Sequence, residues 1–338
     1  MALKDIAAEL GVSISTVSRV LNSQTPSAAG KELQRKIWET AKRQGYIPNQ
    51  AACRLRENST QNTPEPKFLY CVFAVAPQES KDDPFYTKIL ESVEQEAFKH
   101  NYILRYTFSA AALDVPGALT PMLSDTPADC LVIIGRFKSA LLERLQAYFK
   151  KTIYIGLNIL DASCDQIVCN SYEIAQTVIR YLHSLNHRNI GFIGSSEGRL
   201  RGYQQAVADL ALPSDSRYIV DDTILSMEGG YQGMIRLLDK APGLTAVFCA
   251  NDMVSIGALK ACRDRGVDVP GDISLIGVND VENVQYTDPM LSSVRVPLEE
   301  MGKMAVVMLL DRVNGGHTSN VTVQFPYIIV KRGSCRAL

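Results

Sequence analysis

This 338-residue sequence has one tryptophan, four histidines and only 7 % aromatic residues. It contains no run of about 18 apolar residues, so no membrane-spanning helix is implied. The histidines form no HExxH or other close pair. The eight cysteines (53, 71, 130, 164, 169, 249, 262 and 335) form no CxxC pair. Neither a metal cluster nor a disulfide scaffold is expected, and the thiols read as reduced. The opening MALKDIAAELG is polar and amphipathic, without a basic stretch leading into an apolar one. No secretory signal is expected, and the chain is expected in the cytoplasm. No GxxxxGKS/T loop or dinucleotide fingerprint occurs, and GSSEG at 194–198 is neither. No catalytic constellation stands out, so no enzyme, cofactor or metal is expected. His183 and His187 flank a helix end and read as cap or surface residues, and Asp82-Asp83 and Asp221-Asp222 read as loop or capping carboxylates.

What is present is ordinary globular composition, 46 % hydrophobic and 21 % charged, which excludes disorder, collagen and a coiled-coil rod. The length suggests two or three domains. The formal net charge is −1, from 35 Lys+Arg against 36 Asp+Glu, but it is unevenly spread. Residues 1–60 hold nine basic and five acidic side chains, and the remainder holds 26 and 31. A small basic head on an acidic body points to a polyanion met by the head alone.

The head reads as three short helices over 4–10, 15–21 and 31–43. Ile6, Ala7 and Leu10 share one face of the first, Val17, Val20 and Leu21 one face of the second, and Leu33, Ile37, Trp38 and Ala41 one face of the third. Gly11 breaks the first pattern, Ser13 or Ser15 is available as an N-cap, and Gly45 suits a stop. Two short helices meeting at a glycine turn follow helix-turn-helix logic. On the second, Ser15, Thr16 and Ser18 can reach base edges or phosphates, and Arg19 can bond guanine or clamp a phosphate. The polar ENSTQNTPEPK at 57–67 reads as a linker.

From Phe68 the texture becomes α/β. Apolar strands are expected at 68–76, 102–108, 130–135, 152–156, 166–169, 189–194, 245–250 and 272–278. Helices are expected at 85–99, 138–149, 172–185, 199–210, 229–239 and 253–265. Such alternation builds two doubly wound parallel sheets, with ligands outside the carboxyl ends of their strands. The loops after Ala76, Gly135, Gly156, Gly194, Ala250 and Val278 are therefore where a binding cleft is expected.

LKDIA…GVS…TVSRVLN at 3–22 resembles the headpiece of the lac repressor/gal repressor family of bacterial transcription regulators, and GYIPNQAACRL at 45–55 resembles its hinge. HRNIGFIG, RLRGY, FCANDMVSIGALKA, GVDVPGDISLIGVND, MLSSVRVP and VKRGS extend the likeness to the C-terminus. The resemblance implies a helix-turn-helix headpiece over 1–46 and a hinge helix and linker over 47–67. It implies an effector-binding and dimerisation domain over 68–338, resembling periplasmic sugar-binding proteins. The expected subdomains are about 68–158 with 292–322, and about 159–291 with 323–338. It implies that Ile14, Ser15, Thr16, Ser18, Arg19 and Asn22 face DNA. Asn49, Ala52, Arg54 and Leu55 would act from the hinge, with Leu55 as the minor-groove wedge.

The same resemblance assigns effector contacts to Asp83, Phe85, Asn158, Arg199, Asn251, Asp252, Asn279 and Leu298. Polar planar groups would bond vicinal hydroxyls, and an apolar wall would cover the C–H face. The family's usual FID is here Ile155-Gly156-Leu157-Asn158, with Asn158 as the stand-in, and Asn279-Asp280 replaces a common Asp-Asp. The implied protein is a homodimeric repressor on a pseudo-palindromic operator. It would control carbohydrate-use genes and be released by a small uncharged sugar, by resemblance a galactoside. The chain ends at VKRGSCRAL without a leucine-rich tetramerising helix, so a dimer rather than a tetramer is expected. Alternatives are a repressor needing a corepressor (a purine or a phosphorylated carrier protein) and a sugar-binding protein without DNA function.

Overall fold

The computed structural model describes residues 3–14, 16–17, 20, 30–43, 67–74, 83–109, 130–136, 139–241 and 243–338. The chain divides into two compact units, Met1–Pro66 and Lys67–Leu338.

In the first unit, helix α1 (Leu3–Leu10) ends where Gly11 takes φ +63°. The Gly11 and Val12 N–H groups turn back to the carbonyls of Ala8 and Ala7, and glycine is the residue that tolerates this left-handed stop. Ser13 caps the following helical turn: its Oγ accepts from the Thr16 N–H at 3.1 Å. Ile14, Thr16, Val17 and Val20 are helical. Helix α2 (Lys31–Arg43) completes the core, with Ile37 and Ala41 packed against Ile6, Ala7 and Val17.

The second unit holds two six-stranded sheets. In the first, β1 (Lys67–Ala74), β2 (Tyr102–Ser109), β3 (Cys130–Gly135), β4 (Lys151–Gly156), β5 (Asp165–Val168) and β11 (Thr322–Gln324) lie in the order β11-β5-β4-β3-β1-β2. In the second, β6 (Ile190–Ile193), β7 (Ile219–Val220), β8 (Ala246–Cys249), β9 (Ser274–Asn279), β10 (Ser292–Arg295) and β12 (Ile328–Val330) lie in the order β12-β10-β9-β8-β6-β7. The described pairings are parallel except β10 with β12. CLVIIG of β3 and AVFC of β8 are buried throughout, as central parallel strands covered on both faces must be. Each sheet repeats the doubly wound order 2-1-3-4-5, whose switch point lies beside its first strand.

Among the described residues, seven α-helices accompany the sheets: α3 (Pro84–Lys99), α4 (Ser139–Tyr148), α5 (Ser171–Ser184), α6 (Glu197–Asp209), α7 (Met227–Lys240), α8 (Asp252–Asp264) and α9 (Leu298–Val313). The expected subdomain boundaries at 158/159 and 291/292 differ from the sheet membership. β5 stays in the first sheet because it pairs with β4, Ile153 opposite Asp165. β10 stays in the second because Ser292 pairs with Ile276 of β9. The chain therefore crosses after β5, after β10 and after β11.

α7 and α8 approach closely through two glycines. A Cβ on Gly257 would strike the Met227 carbonyl, and one on Gly230 the Val254 carbonyl. Backbone cannot yield as a flexible side chain would, so Gly257→Ala should destabilise the protein by about 2–3 kcal/mol, read as a lower urea midpoint. An unchanged midpoint would mean that the two helices slide apart freely.

Candidate functional site

In the first unit, Ile14 is 52 % exposed and Thr16 is half-buried, its hydroxyl 2.8 Å from the Ser13 hydroxyl. Ser15, Ser18, Arg19, Asn22, Asn49, Ala52, Arg54 and Leu55 lie outside the described residues.

In the second unit, a cavity of about 50 Å³ lies among the carboxyl ends of the strands. Its lining brings together Asp83, Phe85, Asn158, Arg199, Asn251 and Asn279 of the expected effector set, with Tyr86, Gly135, Arg136, Leu157, Ser196 and Leu225. Asp83 caps α3, accepting from the Phe85 N–H at 2.9 Å, and the Phe85 ring stands edge-on to Tyr86 at 5.1 Å. Asn251 Oδ1 caps α8 through the Val254 N–H at 2.9 Å, which leaves its Nδ2 as the group able to reach a ligand. Asn158 Oδ1 accepts from the Ser171 hydroxyl at 2.6 Å.

Two expected contacts sit elsewhere. Asp252 is buried and not in the lining: Ser293 Oγ donates to its carboxylate at 2.6 Å and the Val281 N–H at 2.8 Å. Burial raises its pKa to about 7. Leu298 also lies outside the lining, since at the start of α9 it packs into the apolar core. Asp252 instead braces the loop after β9, where Asn279 and Asp280 take φ +111° and +54°. Asp280 helps, accepting from Arg295 at 2.7 Å and Arg332 at 2.6 Å. Two consecutive left-handed non-glycine residues store strain that this frame must hold.

The unusual group is Arg199. It is only 4 % exposed, and its Nε and Nη2 have no hydrogen-bond partner; Asn279 Oδ1 is likewise buried and unsatisfied. Burial pushes the guanidinium down to about 10, and the charge of Arg136 pushes the same way against Asp252, Cys169 and Asp83. Buried donors and acceptors without partners are rare and mark either strain or a place for a ligand.

Arg136 is the first residue beyond β3, and its Nη1 donates to the Ser195 carbonyl at 3.1 Å, joining a loop of the first sheet to one of the second. It was absent from the expected contacts, although its position just past Gly135 is where the strand-end rule directs attention. The run Gly194-Ser195-Ser196-Glu197-Gly198 fits a GxSxG spacing between β6 and α6. Yet Ser196 is extended (φ −97°, ψ 105°), and no histidine appears among the described lining residues, so the Ser–His pairing of a hydrolase is not formed there. His187 is neither cap nor surface: it is buried between Thr245 Oγ1 at 3.0 Å and the Arg336 carbonyl at 3.1 Å.

Residues 2–49 match the family model of bacterial regulatory proteins of the lacI family, and residues 179–335 match a periplasmic binding protein-like domain. The HTH-type transcriptional repressor PurR of Edwardsiella ictaluri (strain 93-146) is 31 % identical over 345 residues, covering 98 % of this chain and 96 % of the relative. That of Proteus mirabilis (strain HI4320) is 29 % identical with the same coverage. Among solved structures, the lac repressor dimer bound to operator and the anti-inducer ONPF superposes with TM-score 0.68 at 21 % identity, over 100 % of this chain and 99 % of that one. The regulator CelR in complex with cellobiose gives 0.70 at 22 %, over 99 % of each chain, so the two share the fold. With relatives of this identity along nearly its whole length, the chain belongs to the lacI family of bacterial regulatory proteins and is a DNA-binding transcriptional repressor, not an enzyme.

Proposed function

We propose that this repressor acts in the cytoplasm as a homodimer on a pseudo-palindromic operator and controls carbohydrate-use genes through a sugar effector. Ile14, Ser15, Thr16, Ser18, Arg19 and Asn22 read the operator, and Asn49, Ala52, Arg54 and Leu55 engage it from the hinge. Asp83, Phe85, Asn158, Arg199, Asn251 and Asn279 hold the effector. The observation that carries this reading is Arg199, whose buried unpaired N–H groups share a cavity with three amide side chains and the Phe85 ring. Hydroxyls satisfy both the donors of Arg199 and the acceptor of Asn279, and an aromatic ring covers the C–H face of a sugar.

The cavity is far smaller than the roughly 300 Å³ of a typical ligand pocket, so an effector enters only as the two lobes part. Parting breaks the Arg136–Ser195 bond, which ties ligand binding to the relative position of the two sheets. Coupling of this kind is reciprocal: DNA weakens effector binding by the factor by which effector weakens DNA binding. A repressor that needs a purine corepressor differs in sign, since its ligand strengthens DNA binding.

Deleting residues 1–60 is the direct test. Operator affinity in a gel shift should fall by at least about 10³-fold while effector affinity is retained. Retained operator binding, or a full-length chain whose DNA affinity no metabolite alters, would sink the reading.

A further inference from the structure

Among the described residues lining the cavity, the charged side chains are Asp83, Arg136 and Arg199. We propose, building on the effector reading above, that the effector is an anionic sugar whose phosphate or carboxylate lies between Arg136 and Arg199. Arg199 supplies the first half of such a cradle, since its Nε and Nη2 are buried, adjacent on one planar fork and without a partner. A planar guanidinium edge matches two oxygens of a phosphate or carboxylate. Arg136 supplies the second half from the opposite lobe, close enough for its charge to depress the Arg199 guanidinium.

Two like charges in one largely buried space repel, and a ligand anion relieves that repulsion. The acids nearby are poorly placed to do so. Asp83 is engaged as the α3 cap, and burial raises it towards the neutral form. Asp252 is held by Ser293 and Val281, and Asp280 by Arg295 and Arg332. Asn279 Oδ1 needs a donor, so the ligand carries hydroxyls as well as charge.

The arrangement also gives the charge a mechanical role. Arg136 follows β3 of the first sheet, and Arg199 lies on the first turn of α6 in the second lobe. An anion between them replaces the Ser195 carbonyl as the acceptor for Arg136 and draws the lobes together around the ligand. The effector is then sensed by its charge and its hydroxyls together.

The test uses the full-length protein, titrated calorimetrically and by thermal shift with inorganic phosphate, glucose 6-phosphate, galacturonate, glucose and galactose. An anionic sugar should bind about 10–100-fold more tightly than its neutral parent. Arg136→Gln should remove that advantage. Inorganic phosphate should raise the melting temperature of the parent protein and not of Arg136→Gln. Binding that tightens as pH rises through about 6, where a phosphate monoester takes its second charge, identifies a phosphate; binding flat across that range identifies a carboxylate.

The proposal is overturned if inorganic phosphate stabilises neither protein or both equally, or if neutral sugars bind more tightly than every anion. DNA release by a neutral sugar would overturn the charge assignment and leave the effector reading standing. Phosphate binding lost in Arg136→Gln, with no ligand altering DNA affinity, would overturn the effector reading and uphold the anion site.

Discussion

Replacing Arg199 with methionine should abolish effector control of operator binding and at the same time stabilise the ligand-free protein. The two effects share a cause. A guanidinium held at about 10, against its ordinary 12.5, is charged at neutral pH at a cost of about 3 kcal/mol relative to solvent. The sign follows from the direction: a base with a depressed folded pKa destabilises the fold at every pH below that value, and the penalty lifts only above about 10. Methionine keeps most of the aliphatic volume without the buried N–H groups, so urea unfolding should show a gain of about 1–3 kcal/mol. Effector affinity should fall by at least about 100-fold, since a charge-assisted fork is lost from the middle of the site. A variant that is less stable would mean that the guanidinium is a structural bond of the closed lobes rather than a ligand group kept in reserve.

Asp165→Ala should cost about 3–5 kcal/mol, because it strips the partner from a buried charge network. Asp165 is fully buried at the start of β5. Arg312, near the end of α9, grips it with Nε and Nη2, both at 2.6 Å. The Val321 N–H donates at 2.9 Å, and His317 Nε2 stands 2.9 Å away. One carboxylate thus fastens α9 and the turn before β11 to β5 of the first sheet.

The same cluster sets a pH dependence. Although burial opposes ionisation, Arg312, His317 and the Val321 amide hold Asp165 below the usual carboxylate range. Its contribution is complete above about 4 and is lost as pH falls through the depressed value. Asp311 and Asp165 raise His317. Its contribution is complete below about 6.5 and is lost as pH rises through the raised value. Stability from this cluster should therefore peak between about 4 and 6.5, and His317→Gln should flatten the alkaline limb while only reducing the acid limb, which Arg312 still maintains. A urea-midpoint profile of Asp165→Ala with the parent's pH shape would place the titration elsewhere.

The elements of this fold were legible because their signals are local. A run such as CLVIIG, short and rich in β-branched residues, reads as a strand covered on both faces, and Gly11 after Leu10 stops a helix through its own backbone freedom. Strand termini also marked where a cleft is expected, and six of the eight expected contacts line one cavity. What local signals do not carry is non-local. Asp252 reads as a contact in the ANDM motif until Ser293, 41 residues away, is seen to donate to its carboxylate. β10 reads as a return to the first lobe until its pairing with β9 is seen.

By itself the sequence determined the class of protein: a basic head with helix-turn-helix spacing, an α/β body, and motifs that run in family order from end to end. Periodicity, capping and charge balance act over a few residues, and so they survive in one dimension. Only the tertiary structure decided the electrostatics of the cleft. Arg136 and Arg199 are 63 positions apart in sequence, and the opposing lobes bring both into one cavity. The charge that a ligand must carry depends on which side chains share that space and which acids are already engaged. The body's total charge does not say what faces the ligand.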